Sequence, residues 1–273
     1  MNRGHGRVAH PPAPEPLAVP ALDSHCHLDL MDVPVEQALA QARAVGIARV
    51  VQVGVDLPSS RWSAQVAAEH DGVVAAVALH PNEAGAGAAT DEALREVEAL
   101  AALPQVRAVG ETGLDHFRTG PEGHRAQEES FRAHIAIAKR TGTALVVHDR
   151  DAHDDVVRVL LDEGAPDEVV FHCFSGGPEL ARTCTEQGWT MSFAGPLTFK
   201  ANDGLREAAR LAPPELLLVE TDAPFLTPVP YRGRPNGPYL VPLTVRALAE
   251  VRGEDVDAVC SAVTATGERV FGR

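Results

Sequence analysis

Seven side chains in this 273-residue chain could do chemistry together: His25, His27, His80, Glu111, His148, His172 and Asp222. The first two stand in Asp23-Ser24-His25-Cys26-His27-Leu28-Asp29, after a short apolar lead, Leu17 to Leu22, that reads as a strand. Side chains alternate faces along a strand, so both imidazoles point one way and Cys26 points away. Two imidazoles at a strand end are half of a metal site. A polar turn would explain an isolated His-x-His equally well. The downstream residues change its weight, because each follows an apolar strand.

Three or four imidazoles with two carboxylates suit one or two divalent cations such as Zn, Mn or Mg. Glu111 is the natural bridge, since a carboxylate can reach two ions. Two ions ~3.5–4 Å apart can activate water and clamp both oxygens of a displaced ester. Asp222 can ligate one ion and take the proton from the attacking water. Its bland alternative is an N-cap for the next element.

These residues need a scaffold that gathers strand ends. Apolar, β-branched runs (Ile47 to Val53, Val73 to Leu79, Val106 to Val109, Ala144 to Val147, Glu168 to Phe171, Thr190 to Phe193 and Leu216 to Val219) alternate with helical patterns. Helices are expected at Val35 to Val45, Ser59 to His70, Asp91 to Leu103, Gly123 to Thr141, Ala152 to Glu163, Pro178 to Gln187 and Asp203 to Ala212. Two more, Val241 to Val251 and Asp255 to Val270, close the chain. Strands apolar on both faces and alternating with helices imply a parallel sheet. Eight such units fit an α/β fold, a single (β/α)8 TIM-type barrel with C-terminal closing helices. A doubly wound sheet would carry a Gly-rich turn after its first strand, where this chain has His25-Cys26-His27. In a barrel all strand C-termini open on one face. Glu111 to His148 is 37 residues and His148 to His172 is 24, one βα unit each. The 50 residues from His172 to Asp222 hold two units, so the strand Thr190 to Phe193 supplies no ligand.

Composition narrows the partners. A net charge of −14 opposes broad capture of nucleic acid, so such a substrate needs local positive charge or bound cations. Four cysteines without Cys-x-x-Cys spacing read as reduced thiols in a cytoplasmic protein. No apolar run approaches the ~18 residues of a membrane span, and no signal peptide is legible. Residues 1–18 are expected to be a disordered proline-rich tail, and residues 19–273 one domain.

The motifs resemble the TatD family of metal-dependent hydrolases and deoxyribonucleases, within the amidohydrolase-like barrels. The matches are Asp23 to Asp29, Leu79-His80-Pro81, Val109 to Asp115, His148-Asp149-Arg150, His172 to Gly176 and Glu220 to Leu226. Six pieces in order are specific. The resemblance implies metal ligation by His25, His27, Glu111, His148, His172 and Asp222, two divalent ions, and 3′-to-5′ exonuclease action on the ends of single-stranded DNA. Related barrels often bridge their metals with a carbamylated lysine, but the two lysines here, Lys139 and Lys200, lie elsewhere. The chain departs from the family pattern at His116-Phe117-Arg118, on the rim, and at His134 and Thr266, which read as scaffold changes.

Three groups are candidates for holding substrate. His80 could contact a phosphate or orient its neighbours. Arg150, two residues after His148, offers a guanidinium to a phosphodiester or a salt bridge to Asp149 or Asp151. Arg234, in the basic loop Arg232-Gly233-Arg234-Pro235-Asn236, could bring positive charge to the mouth. Phe117, Phe174 and Phe225 could stack bases, although packing is the expected role in a chain only 4% aromatic. The rival functions are an ester or amide hydrolase acting on a small or aminoacyl substrate, and a non-catalytic metal-binding interaction protein.

Overall fold

The computed structural model describes residues 9–272. The strands are β1 (Ala21–Cys26), β2 (Ile47–Val53), β3 (Val73–Val77), β4 (Val106–Asp115), β5 (Ala144–Arg150), β6 (Val169–Phe171), β7 (Thr190–Phe193) and β8 (Leu217–Val219). The helices are α1 (Val35–Ala44), α2 (Leu57–Glu69), α3 (Pro81–Gly85), α4 (Asp91–Ala101), α5 (Pro121–Thr141), α6 (His153–Glu163), α7 (Pro178–Gln187), α8 (Asp203–Leu211), α9 (Val241–Arg252) and α10 (Val256–Phe271). All eight strands run parallel in chain order, and they form the expected nearly closed barrel with helices outside. Among the described residues, no helix is long and apolar enough to cross a membrane. The four cysteines are free.

Local chemistry explains the element boundaries. Asp56 and Ser59 form a capping box on α2, Thr90 caps α4, and Asp255 caps α10. Gly142, Gly188 and Gly253 end α5, α7 and α9 in the left-handed conformation. Small and medium-sized apolar residues fill the barrel: Leu22, Val51, Val53, Ala76, Ala108, Val146, Val170 and Leu218 share one buried cluster. Val270 and Phe271 at the end of α10 join that cluster. The rest of the core lies between the sheet and the helices.

Four expectations from sequence need correction. The first strand begins at Ala21 rather than Leu17. Pro16 and Pro20 have no N–H for a ladder, and Leu17 instead packs into the core with its N–H on the Val45 carbonyl. β4 continues through Gly110 to Asp115, six residues past Val109. Gly113, at φ 140°, lets it run against β5, because a Cβ there would lie 2.1 Å from the His148 carbonyl oxygen. The short α3 was not expected; Pro81 starts it and the His80 side chain caps it. Finally, the tail is held from Ala9 onward. Arg234 donates to the carbonyls of Ala9 and His10, Tyr239 to that of Pro11, and Arg246 to those of Glu15 and Pro16. Residues 1–8 of the expected tail lie outside the described residues.

The departure at His134 has a clear structural role. Its buried ring accepts the Leu79 N–H at Nε2 (3.1 Å) and donates from Nδ1 to the Ser130 carbonyl (2.7 Å), which fixes the end of β3. Burial keeps the ring neutral and lowers its pKa to about 4, although the bond to Ser130 favours the charged form. In the unfolded chain the same group titrates near ~6.5. Between those values only the unfolded state binds the proton, so this contribution is fully present above ~6.5 and is lost as pH falls toward 4. The loss amounts to about 3 kcal/mol. His134→Gln keeps an acceptor for Leu79 without a titrating ring. Urea unfolding should therefore show the variant losing about 2 kcal/mol less stability than the parent between about pH 7 and pH 4.5. Parallel losses in the two proteins would contradict this role.

Candidate metal centre

The strand ends bring six of the seven polar residues into two groups that share one carboxylate. In the first group, His25 Nε2 lies 3.3 Å from His27 Nε2, 3.7 Å from Glu111 Oε1 and 3.8 Å from Asp222 Oδ1. His27 Nε2 lies 3.6 Å from Glu111 Oε1 and 3.5 Å from Asp222 Oδ1. His27 Nδ1 is 3.0 Å from the Val53 carbonyl, which requires an N–H there, so the neutral ring presents its Nε2 lone pair inward. Cys26 turns the other way, its thiol against the Val51 carbonyl.

The second group forms around the other oxygen of Glu111. Glu111 Oε2 is 2.8 Å from His172 Nε2 and 3.0 Å from His148 Nδ1, and those two nitrogens are 3.5 Å apart. Each ring is steadied from behind. His172 Nδ1 donates to Glu220 Oε1 at 3.1 Å, an oxygen that also accepts the Cys173 N–H. His148 Nε2 faces Asp115 Oδ2 at 3.3 Å. Asp115 is held in turn by the N–H groups of Phe117 and Arg118 and, through its backbone, by Gln127. The His25 and His172 rings stack at 3.8 Å, which joins the two groups.

The donor set fits divalent cations. Metal–ligand bonds of about 2.0–2.1 Å at tetrahedral angles put donor atoms about 3.3–3.4 Å apart, close to the spacing of the first group. Charge agrees. Burial raises the cost of an ionised Glu111, yet the facing His172 and His80 rings hold it well below the usual carboxylate range. Burial also opposes ionised Asp222, and His27, His172 and His25 outweigh it. The same carboxylates pull protons onto the rings: burial lowers the His27 pKa, but Asp222 and Glu111 raise it to about 9. A cation takes the place of those protons. Asp222 sits at φ 53° and Cys173 at φ 43°, conformations that cost a non-glycine residue about 1–3 kcal/mol, so the surrounding bonds impose them.

His80 differs from the others. Its Nε2 is 3.8 Å from Glu111 Oε2, and its Nδ1 accepts the Asn82 N–H. Burial lowers its pKa to about 4, so the ring is neutral and its proton sits on Nε2, facing the centre. It offers an N–H there and no lone pair. Arg150 stacks its guanidinium 4.2 Å over the Phe117 ring, near enough to Asp115 for its charge to favour the ionised carboxylate. Asp149 is taken by His153. Arg234 is not brought to the centre; it is occupied with the carbonyls of Ala9 and His10. Glu220, Asp115, Gln127 and Asn82 were not singled out from the sequence. Glu220 could have been, because it lies two residues before Asp222 directly after an apolar strand.

Residues 22–272 match the family model described as TatD related DNase. The chain is 46% identical over 260 residues to an uncharacterized metal-dependent hydrolase named TatD from Mycobacterium tuberculosis, covering 92% of this chain and 97% of that protein. It is 34% identical over 248 residues to a Citrobacter rodentium protein named 3′-5′ ssDNA/RNA exonuclease TatD, covering 87% and 91% of the two chains. Among solved structures, the TatD homolog YJJV from Escherichia coli superposes with a TM-score of 0.85 at 25% identity, covering 93% of this chain and 98% of that one.

Two substitutions test the geometry. Partners that orient a ligating histidine typically contribute 10–100-fold to metal affinity. Glu220→Gln should weaken binding of Zn or Mn by a factor in that range in a chelator-competition titration, and parent-like affinity would remove Glu220 from the centre. Gly113→Ala should prevent β4 from reaching β5, and is expected to show as loss of the cooperative thermal transition or of soluble protein.

Proposed function

This chain belongs to the TatD-related DNase family of metal-dependent hydrolases, and on that premise we propose that it is a 3′-to-5′ exonuclease acting on single-stranded DNA with two divalent cations. The observation that carries the reading is the division of Glu111: Oε1 faces His25 and His27, and Oε2 faces His148 and His172. His25, His27, Asp222 and Glu111 would hold one ion, and Glu111, His148 and His172 the other. Such ions (Mg, Mn or Zn) supply Lewis acidity, offsetting negative charge on phosphoryl oxygens and making water nucleophilic near neutral pH.

The chain's own residues do the rest. Asp222 is the more open of the two ligand carboxylates, its side chain 14% exposed against 5% for Glu111. It stays ionised and is placed to take the proton of the incoming water. His80 directs an N–H inward and would donate to a phosphoryl oxygen or to the departing sugar oxygen. Arg150, held over the Phe117 ring, offers a forked donor to a flanking phosphate. The tail contacts assign Arg234 to fastening residues 9–10, so the proposed phosphate contacts rest on Arg150 and His80. Direction and strand preference follow the relative named a 3′-5′ ssDNA/RNA exonuclease.

The test is metal-stripped protein with 5′-labelled single-stranded DNA and Mg, Mn or Zn added separately. A metal-dependent ladder shortening from the 3′ end, reduced at least about 100-fold in Asp222→Asn, is the expected outcome. Intact DNA with every ion, from protein holding about two metal equivalents, would reject the nuclease reading in favour of ester or amide hydrolysis.

A further inference from the structure

Of the eight phenylalanines, Phe131, Phe171, Phe174, Phe193 and Phe271 are buried and Phe199 is half-buried under Arg232. Phe117 and Phe225 remain 62% and 51% exposed. Rings that exposed add little to a core. Their places are also specific, for each is fastened beside a different half of the metal centre. The Phe225 N–H donates to the Asp222 carbonyl at 2.8 Å, and its ring meets the His27 ring edge-on at 6.1 Å. Asn236 pins that turn, donating to the carbonyls of Thr221 and Phe225. The Phe117 N–H donates at 3.0 Å to Asp115 Oδ1, whose carboxylate faces His148. One face of the Phe117 ring is covered by the Arg150 guanidinium. The ring is thereby held in place while most of it stays open to solvent.

We propose that Phe117 and Phe225 are stacking platforms for the two nucleobases that flank the scissile phosphodiester, which rests on the nuclease reading above. Phosphate attraction alone is a poor source of affinity for a chain with a net charge of −14. Stacking on aromatic rings contributes about 1–3 kcal/mol per base and tolerates any sequence, because every base has a π-face. Two platforms on either side of the centre require bases that are splayed from a partner strand. The substrate class is therefore an unpaired end carrying bases on both sides of the cleaved bond, DNA or RNA alike.

The test compares parent, Phe117→Ala, Phe225→Ala and the two Phe→Tyr variants on single-stranded oligodeoxynucleotides, with either normal or abasic residues at the last two 3′ positions. Each alanine variant should raise KM about tenfold on base-bearing ends with kcat little changed, and the tyrosine variants should restore it. On abasic ends parent and alanine variants should share the same raised KM. Alanine variants with KM near the parent's on base-bearing ends, or with equal rises on both substrates, would overturn the platforms while leaving the nuclease intact. A parent protein inactive on every DNA would overturn the nuclease reading, and the platforms with it.

Discussion

A ring of parallel strands has to close, and here the closing contact is made by a buried carboxylate. β8 is only three residues long, and it meets β1 beyond its own end, through a bridge between Cys26 and Ala223. Asp23 lies at the centre of that seam, accepting the Thr221 N–H at 2.9 Å and the Thr221 hydroxyl at 2.5 Å. Burial pushes the Asp23 pKa up to about 7, with the Thr221 bonds working to lower it. The same seam carries Asp222 N–H to the His25 carbonyl and His27 N–H to the Ala223 carbonyl. Closing the barrel and bringing Asp222 within 3.8 Å of His25 are thus one event. The left-handed Asp222 is tolerable because these bonds fix the backbone on both sides of it.

The remainder of the centre follows from how carboxylates and imidazoles share a dry space. Glu111 is surrounded by His25, His27, His148 and His172, and its two oxygens serve different pairs. Behind His172 and His27 stand Glu220 and the Val53 carbonyl, each settling which nitrogen carries a proton, and Asp115 faces the outer nitrogen of His148. His80 receives the opposite arrangement, because Asn82 occupies its other nitrogen. Identical side chains therefore take different roles from a single backbone contact. The whole-chain charge of −14 says little about this spot, where rings and carboxylates come near to balance.

The sequence was most legible where one residue type had a repeated context. Apolar β-branched runs marked the strands, and a His, Glu or Asp after six of the eight marked the face on which they meet. Contacts made through backbone carbonyls were not legible, because a carbonyl carries no residue identity. Arg234 read as a free cation until the carbonyls of Ala9 and His10 were placed against it. β4 read as ending at Val109 because glycines usually interrupt strands, whereas Gly113 allows an approach that a Cβ would forbid. Asp115 and Glu220 lay inside recognisable motifs, but their work is to steady a histidine from another strand, and that pairing exists only once the barrel is formed.

β7 is the strand that brings neither a ligand nor a support to the mouth. Its Ser192 hydroxyl bonds to Ser24 at 2.8 Å inside the barrel, and its end runs into the 3-10 turn Gly195–Thr198. Seven strands are bound to the metal chemistry or to its supports, while this one is free of that duty. The turn after it is tightly packed: Ala194 is buried, and a Cβ at Gly195 would lie 1.9 Å from the Leu226 carbonyl oxygen. The seventh strand thus serves the mouth through backbone fit, because the bare Gly195 lets the chain that follows Asp222 pass against it.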